Sequence, residues 1–412
     1  MEGELKSTAR RSFFKRAAAG GVVTGATLSA LGAHMALAHD DDPWRGHGRD
    51  RRRGRRSDYG DLHPTPDQGG NPILALPRDF KYVTFSRTGE AFGNGLVVPR
   101  NHDGMACFEG RGNVVRLIRN HELRNAAGDF NLGVNGPADL RYDAKGMGGC
   151  MTLDFDTRSK RLVRQFIAIG GTIVNCSGGW SWRNTGWITC EETTQGIKNG
   201  YEKPHGYNFF VPAGADSAVP FKAMGRFSHE ASVADDRGIV YQTEDAGNNS
   251  GFYRFIPNDP RNLLAGGMLQ MLAIMGNPTA AMFTGQRVGV RLPVSWVVIP
   301  VPDPDLEGGA MSCFAQGRAA GGAAFNRLEG IFRGEDRRSM YFISTSGGTI
   351  KAPGTSNGFG QLWHYLPADG HLQEEDQLVL VFESPSGSVL EAPDNLCLTP
   401  NGGVLFCEDD AV

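Results

Sequence analysis

Apolar residues along this chain fall in short runs separated by polar, Gly and Pro residues. Val114–Ile118, Trp187–Cys190, Val240–Thr243, Phe252–Pro257, Met340–Ile343, Leu362–Pro367 and Val404–Cys407 are such runs. Gly149–Phe155 and Leu162–Ala168 flank Asp156-Thr157-Arg158-Ser159-Lys160 and read as a hairpin. Short apolar runs bounded by turn residues predict strands. Tyr82–Phe85 is expected to be one more. The Met-, Ala- and Gly-rich stretch 261–325 reads least as strand and is expected to hold a helix or an insertion. With 57 glycines and only 21% charged residues among 412, the class is all-β.

The runs carry a second pattern. Trp187-Ile188-Thr189-Cys190-Glu191-Glu192, Val240-Tyr241-Gln242-Thr243-Glu244-Asp245 and Leu405-Phe406-Cys407-Glu408-Asp409-Asp410 are each an apolar strand ending in two acids. About one hairpin upstream stands a polar pair: Asn175-Cys176, His229-Glu230 and Asp394-Asn395. Repeated strand units of this kind predict a β-propeller, whose innermost strands deliver their ends to one mouth of a central channel. Acidic turns scattered over a β-sandwich would give the acids without the upstream markers.

The N-terminus stands apart. Arg10-Arg11-Ser12-Phe13-Phe14-Lys15 matches a twin-arginine export signal, a small apolar run extends to Ala38, and Ala36-Leu37-Ala38 has the form of a cleavage site. Residues 1–38 therefore read as a signal peptide that engages the twin-arginine export machinery, and 39–78 as a charged, disordered linker with an arginine cluster between Arg49 and Arg56. The folded body is expected over 79–412, periplasmic or secreted, with no membrane span left after cleavage, and monomeric. A net charge of −3 gives no footprint for nucleic acid. Seven cysteines leave at least one unpaired, and none has C-x-x-C spacing.

The chemistry centres on Gly170–Trp180, where Cys176 sits in a glycine-rich turn, and on Cys190-Glu191-Glu192 after it. A free buried cysteine beside an acidic turn is the plainer reading of that stretch alone. Clustered Glu, Asp and Asn offer oxygen ligands for calcium, and carboxylates so crowded need a compensating cation. Adding the Cys176 thiolate gives the site a soft donor suited to a transition metal. Arg327 lies two residues from Glu329, on the same face if both are in a strand. The pair is either a structural ion pair or a bidentate donor for phosphate or carboxylate. No P-loop or H-E-x-x-H is present.

Taken together, the export signal, Gly171–Gly179, Cys190-Glu191-Glu192, Ser228-His229-Glu230-Ala231, Glu244-Asp245, Arg327-Leu328-Glu329-Gly330 and Pro393-Asp394-Asn395-Leu396 resemble the PhoX family of secreted alkaline phosphatases, over most of 80–410. The resemblance implies a six-bladed propeller with a mixed iron (Fe3+) and calcium (Ca2+) centre that hydrolyses phosphate monoesters. It implies Cys176 as the iron-bound thiolate with Glu230 and Glu329 beside it, and Arg327 as the residue holding the substrate phosphate, so that Arg327, Cys176 and Glu329 form the catalytic group. Glu191, Glu244, Asp394 and Glu408 are implied calcium ligands, joined by Glu192, Asp245, Asn395 and Asp409. A bridging oxygen or metal-bound hydroxide would attack phosphorus in line. The family pattern also implies further strands beyond Asp410. The expected fold is therefore a six-bladed β-propeller-like ring, either lacking its C-terminal closing strands at Val412 or closing by other means. The alternative is a calcium-binding propeller of another class, a phosphodiesterase- or lactonase-like hydrolase or a non-catalytic scaffold.

Overall fold

Antiparallel hairpins laid end to end build this protein, as the spacing of its apolar runs requires. The computed structural model describes residues 61–93, 95–125, 132–214, 216, 218–351, 357–369, 375–399 and 402–409. The expected signal peptide and residues 39–60 of the expected linker lie outside the described residues. Two small hairpins come first: β1 (Leu62–Thr65) with β2 (Leu74–Pro77), and β3 (Ala91–Phe92) with β4 (Leu96–Val97). The first of these falls inside the stretch expected to be linker. Tyr82–Phe85 forms no strand; the Tyr82 hydroxyl instead accepts the Ile73 N–H at 2.9 Å and donates to the Asn71 carbonyl at 3.0 Å.

Five propeller-like units follow among the described residues. Unit one is the four-stranded sheet β5 (His102–Glu109), β6 (Val114–His121), β7 (Gly148–Asp156) and β8 (Arg161–Thr172). Unit two is β9 (Asn175–Trp180), β10 (Gly186–Glu191) and β11 (Asn208–Pro212). Unit three runs from β12 (His229–Ala234) through β13 (Val240–Glu244), β14 (Phe252–Pro257) and β15 (Gly267–Ile274) to β16 (Arg291–Val298). A single α-helix among the described residues, α1 (Cys313–Ala319), lies in the stretch that reads least as strand; the Ser312 hydroxyl caps it by accepting the Ala315 N–H. Unit four is β17 (Leu328–Arg333), β18 (Met340–Ser344), β19 (Gln361–Leu366) and β20 (Gln377–Glu383), and pairing of β16 with β20 joins units three and four into one nine-stranded sheet. The last unit is the hairpin β21 (Pro393–Leu398) and β22 (Val404–Glu408).

The inner strands pack in chain order, β5 on β9, β9 on β12, β12 on β17 and β17 on β21. The all-β, propeller-like architecture is the one the strand repeats predict. The core lies between units: Tyr241, Phe252, Phe342, Trp363 and Tyr365 form one buried aromatic cluster between units three and four, with the Phe252 and Phe342 rings stacked at 4.2 Å. Apolar area of this size, at roughly 25 cal/mol per Å², holds adjacent sheets face to face and fixes where their inner edges sit.

Candidate metal centre

Each inner hairpin carries the same irregularity. In the five ladders, His102 pairs His121, Asn175 pairs Glu191, His229 pairs Glu244, Leu328 pairs Ser344 and Pro393 pairs Glu408. The next pair in each is displaced by three residues on one strand and two on the other: Met105–Arg119, Gly178–Thr189, Ser232–Gln242, Ile331–Phe342 and Leu396–Phe406. Two residues thus oppose one, a β-bulge, which twists the strand and re-aims a side chain. The bulge dipeptides are Asp103-Gly104, Cys176-Ser177, Glu230-Ala231, Glu329-Gly330 and Asp394-Asn395. The first member is always a potential ligand and the second is small or, in the last unit, an amide.

The second member is small because the next inner strand passes close. A Cβ on Gly104 would stand 2.7 Å from Ser177 Cα, and one on Gly330 would stand 2.9 Å from Asn395 Cα. The backbone before the bulge is also shared. Asn101, Val174, Arg327 and Ala392 have φ of 51°, 50°, 43° and 46°. For a β-branched residue such as Val174 this left-handed conformation is strained, by about 1–3 kcal/mol. It is held by a recurring bond across the hairpin mouth. The N–H groups of Glu122, Glu192, Asp245, Thr345 and Asp409 donate to the carbonyls of Asn101, Val174, Ser228, Arg327 and Ala392 at 2.8–3.1 Å.

These devices bring one group of side chains together. Donor atoms of Glu230, Glu329 and Asp394 lie within 4.8 Å of one another, as do those of Glu122, Cys176 and Glu192. Cys176 Sγ is 3.7 Å from Asp103 Oδ1, and Cys176 and Glu230 act on each other across the two groups. Asn120, fully buried opposite the first bulge, fixes the Cys176 turn by donating to the carbonyls of Cys176 at 3.0 Å and Ser177 at 2.7 Å. Arg327 Nη2 bonds Glu329 at 2.8 Å and Asp245 at 3.0 Å. Its left-handed backbone, rather than strand alternation, brings it there. Arg124 bonds Glu122 and, at 3.3 Å, Glu192.

The electrostatics are those of a cation site. Burial, then the neighbouring Glu329, pushes the Glu230 carboxyl well above its ordinary range. Glu329 moves the same way through burial and Asp245. Burial and Glu122 raise Asp103 to about 7, and burial and Asp245 raise Glu192 to about 8. Burial likewise raises Asp394. The Cys176 thiol is pushed well up by burial, Glu230 and Asp103. Both Glu230 oxygens are buried and receive no N–H or O–H donor. A buried carboxylate left so is costly by several kcal/mol unless a cation meets it. The mixed thiolate and carboxylate set therefore fits a metal centre.

The structure separates the paired acids of the sequence. Glu192 and Asp245 belong to the cluster. Glu191 faces away: its oxygens accept the N–H groups of Ile173, Gly206 and Tyr207 at 3.0, 2.8 and 3.2 Å, and His205 Nδ1 lies at 2.6 Å. Glu244 accepts from Gly251 N–H at 3.1 Å and the Tyr253 hydroxyl at 2.6 Å. Glu408 accepts the Glu391 N–H at 2.7 Å, while Asp409 acts on the Asp394 carboxyl from the rim. Asn395 accepts from the Ser177 hydroxyl at 3.1 Å and donates to Asp394. Asp103, Glu122, Asn120 and Arg124 were not singled out by the sequence; the signal for the first two is His102-Asp103 upstream of a strand ending His121-Glu122, with His121 where units two, three and five have Glu.

Residues 57–412 match the family model described as alkaline phosphatase PhoX. The chain belongs to the PhoX family of alkaline phosphatases. It is accordingly a metal-dependent phosphoric monoester hydrolase. No protein of curated function matches it in sequence. Among solved structures, Pseudomonas fluorescens PhoX in complex with vanadate, a transition state analogue, superposes with a TM-score of 0.52 at 16% identity, covering 76% of this chain and 74% of that one. The Pseudomonas aeruginosa periplasmic gluconolactonase aligns at 11% identity and a TM-score of 0.34, over 76% of this chain and 78% of that one. No helix among the described residues is long and apolar enough to cross a membrane.

Proposed function

We propose that this PhoX-family hydrolase works through a mixed iron and calcium centre at the bulge ring, after export by the twin-arginine route. The observation that supports the reading is the fivefold recurrence of one bulge, whose first residues are Asp103, Cys176, Glu230, Glu329 and Asp394. Cys176, Glu230 and Glu329 would hold iron, the thiolate being the soft donor of the set. Asp103, Glu122, Glu192, Asp245 and Asp394 would hold calcium. Bound there, the ions supply Lewis acidity toward the phosphoryl oxygens.

The chain's own groups do the rest. Arg327 and Arg124 stand at the rim, 44% and 59% exposed, and each is already paired to carboxylates of the cluster. Once cations satisfy those carboxylates, both guanidinium groups are free to clamp the phosphate. Arg124 thus takes the place of a second basic phosphate ligand. Glu191, Glu244 and Glu408 hold the loops behind the ring through backbone N–H groups, and Glu192, Asp245 and Asp409 beside them face the mouth. Water or hydroxide would attack phosphorus in line as the ester P–O bond breaks, giving inorganic phosphate, and the alcohol would leave opposite the attack, its oxygen protonated from solvent.

The test is hydrolysis of a chromogenic aryl phosphate at alkaline pH by the mature chain, with and without calcium and iron. Turnover that depends on both metals and falls at least about 100-fold in Cys176→Ala supports the mixed centre. Full turnover in Cys176→Ala with calcium alone would remove iron from the reading.

A further inference from the structure

A cavity of about 560 Å³ opens beside the cluster, lined by Arg124, Asn125, Lys145, Gln195, Asn199 and Tyr201 among others. Arg124 is common to the two: its guanidinium reaches Glu122 and Glu192, and the residue also lines the cavity. A phosphoryl group held at the cluster would therefore have this space beside it for its alcohol substituent. The volume suits a small metabolite.

The walls are built rather than incidental. The buried Asp143 carboxylate accepts the Lys145 N–H at 2.7 Å with one oxygen. Its other oxygen accepts the N–H groups of Glu202 and Lys203, both at 2.8 Å. One side chain so ties the turn that carries Lys145 to the segment that carries Tyr201. Asn125 closes the same turn, donating to the Lys145 carbonyl at 2.7 Å and accepting the Met147 N–H at 3.2 Å. His205 bridges Asp143 at 3.5 Å and Glu191 at 2.6 Å, joining the cavity wall to the strand end that presents Glu192. Among the described residues no carboxylate pairs with the Lys145 ammonium, although both its backbone N–H and its carbonyl are bonded.

We infer that this cavity is the leaving-group subsite, and that Lys145 makes it selective for phosphate esters whose alcohol portion bears a second anionic group, a carboxylate or another phosphate. The inference rests on the phosphatase reading above. Arg124 acts on the transferred phosphate, whereas Lys145 adds a second, flexible cation to the cavity lining. A fixed cation in a polar pocket discriminates by charge complementarity, which acts on specificity more than on the chemical step.

The experiment compares kcat/KM of the metal-loaded mature chain for 3-phosphoglycerate and for glycerol 3-phosphate at pH 8. These esters match in size and differ by a carboxylate in place of a hydroxymethyl group. The wild type is expected to prefer 3-phosphoglycerate by about five- to tenfold. Lys145→Ala should bring the ratio close to one, and Lys145→Glu should invert it. A ratio that neither substitution moves by more than about twofold, in folded variants, overturns the inference. If the wild type hydrolyses no ester, the phosphatase reading fails separately. Calorimetric binding of phosphonoacetate against methylphosphonate then decides the cavity: a preference abolished by Lys145→Ala upholds it, and the absence of any Lys145-dependent difference overturns it.

Discussion

Gly104→Ala is the sharpest perturbation the ring offers. Gly104 is the second bulge residue of β5 and lies against the Cys176 turn. An added Cβ would stand 2.7 Å from Ser177 Cα, 2.9 Å from the Cys176 carbonyl oxygen and 3.1 Å from the Ser177 hydroxyl. Carbon atoms rest at about 3.5 Å or more, so β9 must retreat by about 0.8 Å. The close atoms are backbone, and no rotamer change relieves them. Gly104 does not have a left-handed φ, so the effect is one of packing alone. Overpacking costs about 1–3 kcal/mol, offset by about 0.4–1 kcal/mol because alanine restricts the unfolded chain. The net expectation is a loss of about 1–2 kcal/mol in denaturant unfolding. Activity should fall further than stability. A displacement near 1 Å in a positioned group costs up to about 100-fold in rate, so kcat with an aryl phosphate should drop about 10- to 100-fold, with weaker iron retention. Gly214→Ala is the control, since nothing lies within 4 Å of its added Cβ. A Gly104→Ala protein with wild-type kcat and metal content would refute the argument that bulge-to-bulge contact sets the position of Cys176.

Three further outcomes follow from the same geometry. Arg327→Ala should lower kcat/KM for a phosphate monoester about 100-fold while thermal stability changes little, because the guanidinium is 44% exposed and acts on phosphate rather than on the core; unchanged kinetics would exclude phosphate contact. Glu191→Ala should instead cost about 3–5 kcal/mol in chemical denaturation, since it orphans three backbone N–H groups and the buried His205; a mutant that loses metal at wild-type stability would mark Glu191 as a ligand. Binding of cations at pH 7 should release protons. With Asp103 near 7 and Glu192 near 8, and Glu230 and Glu329 higher than usual, the metal-free site holds protons that an incoming cation displaces. Calorimetry in buffers of different ionisation enthalpy should show at least about one proton released, and proton uptake would contradict the assigned burial.

The sequence exposed the repeat where its closing strand ends in acids. Glu230 to Glu244 and Asp394 to Glu408 have the same separation because each spans a bulge and its closing pair. The first and fourth units escaped notice because they close on His121 and Ser344. Register decides a bulge, and register depends on packing between sheets that no local window contains. The same limit applies to adjacent acids. Glu191 and Glu192 are indistinguishable in composition, yet strand alternation turns one toward backbone N–H groups and the other toward the cluster. Arg124 follows Glu122 in a stretch without periodicity, and only the fold brings it to Glu192. Tyr82–Phe85 had strand composition, but the Tyr82 hydroxyl ties it to an irregular turn.

The central claim is that five equivalent bulges gather one metal centre. Anomalous-difference maps from crystals of the metal-loaded chain, collected at the iron edge and at a wavelength sensitive to calcium, test it most directly. The account predicts an iron peak bonded to Cys176 Sγ and flanked by Glu230 and Glu329, with calcium peaks against Asp394 and the Glu122–Glu192 pair. Maps with no peak inside the ring, and carboxyl groups paired with one another through shared protons, would contradict it.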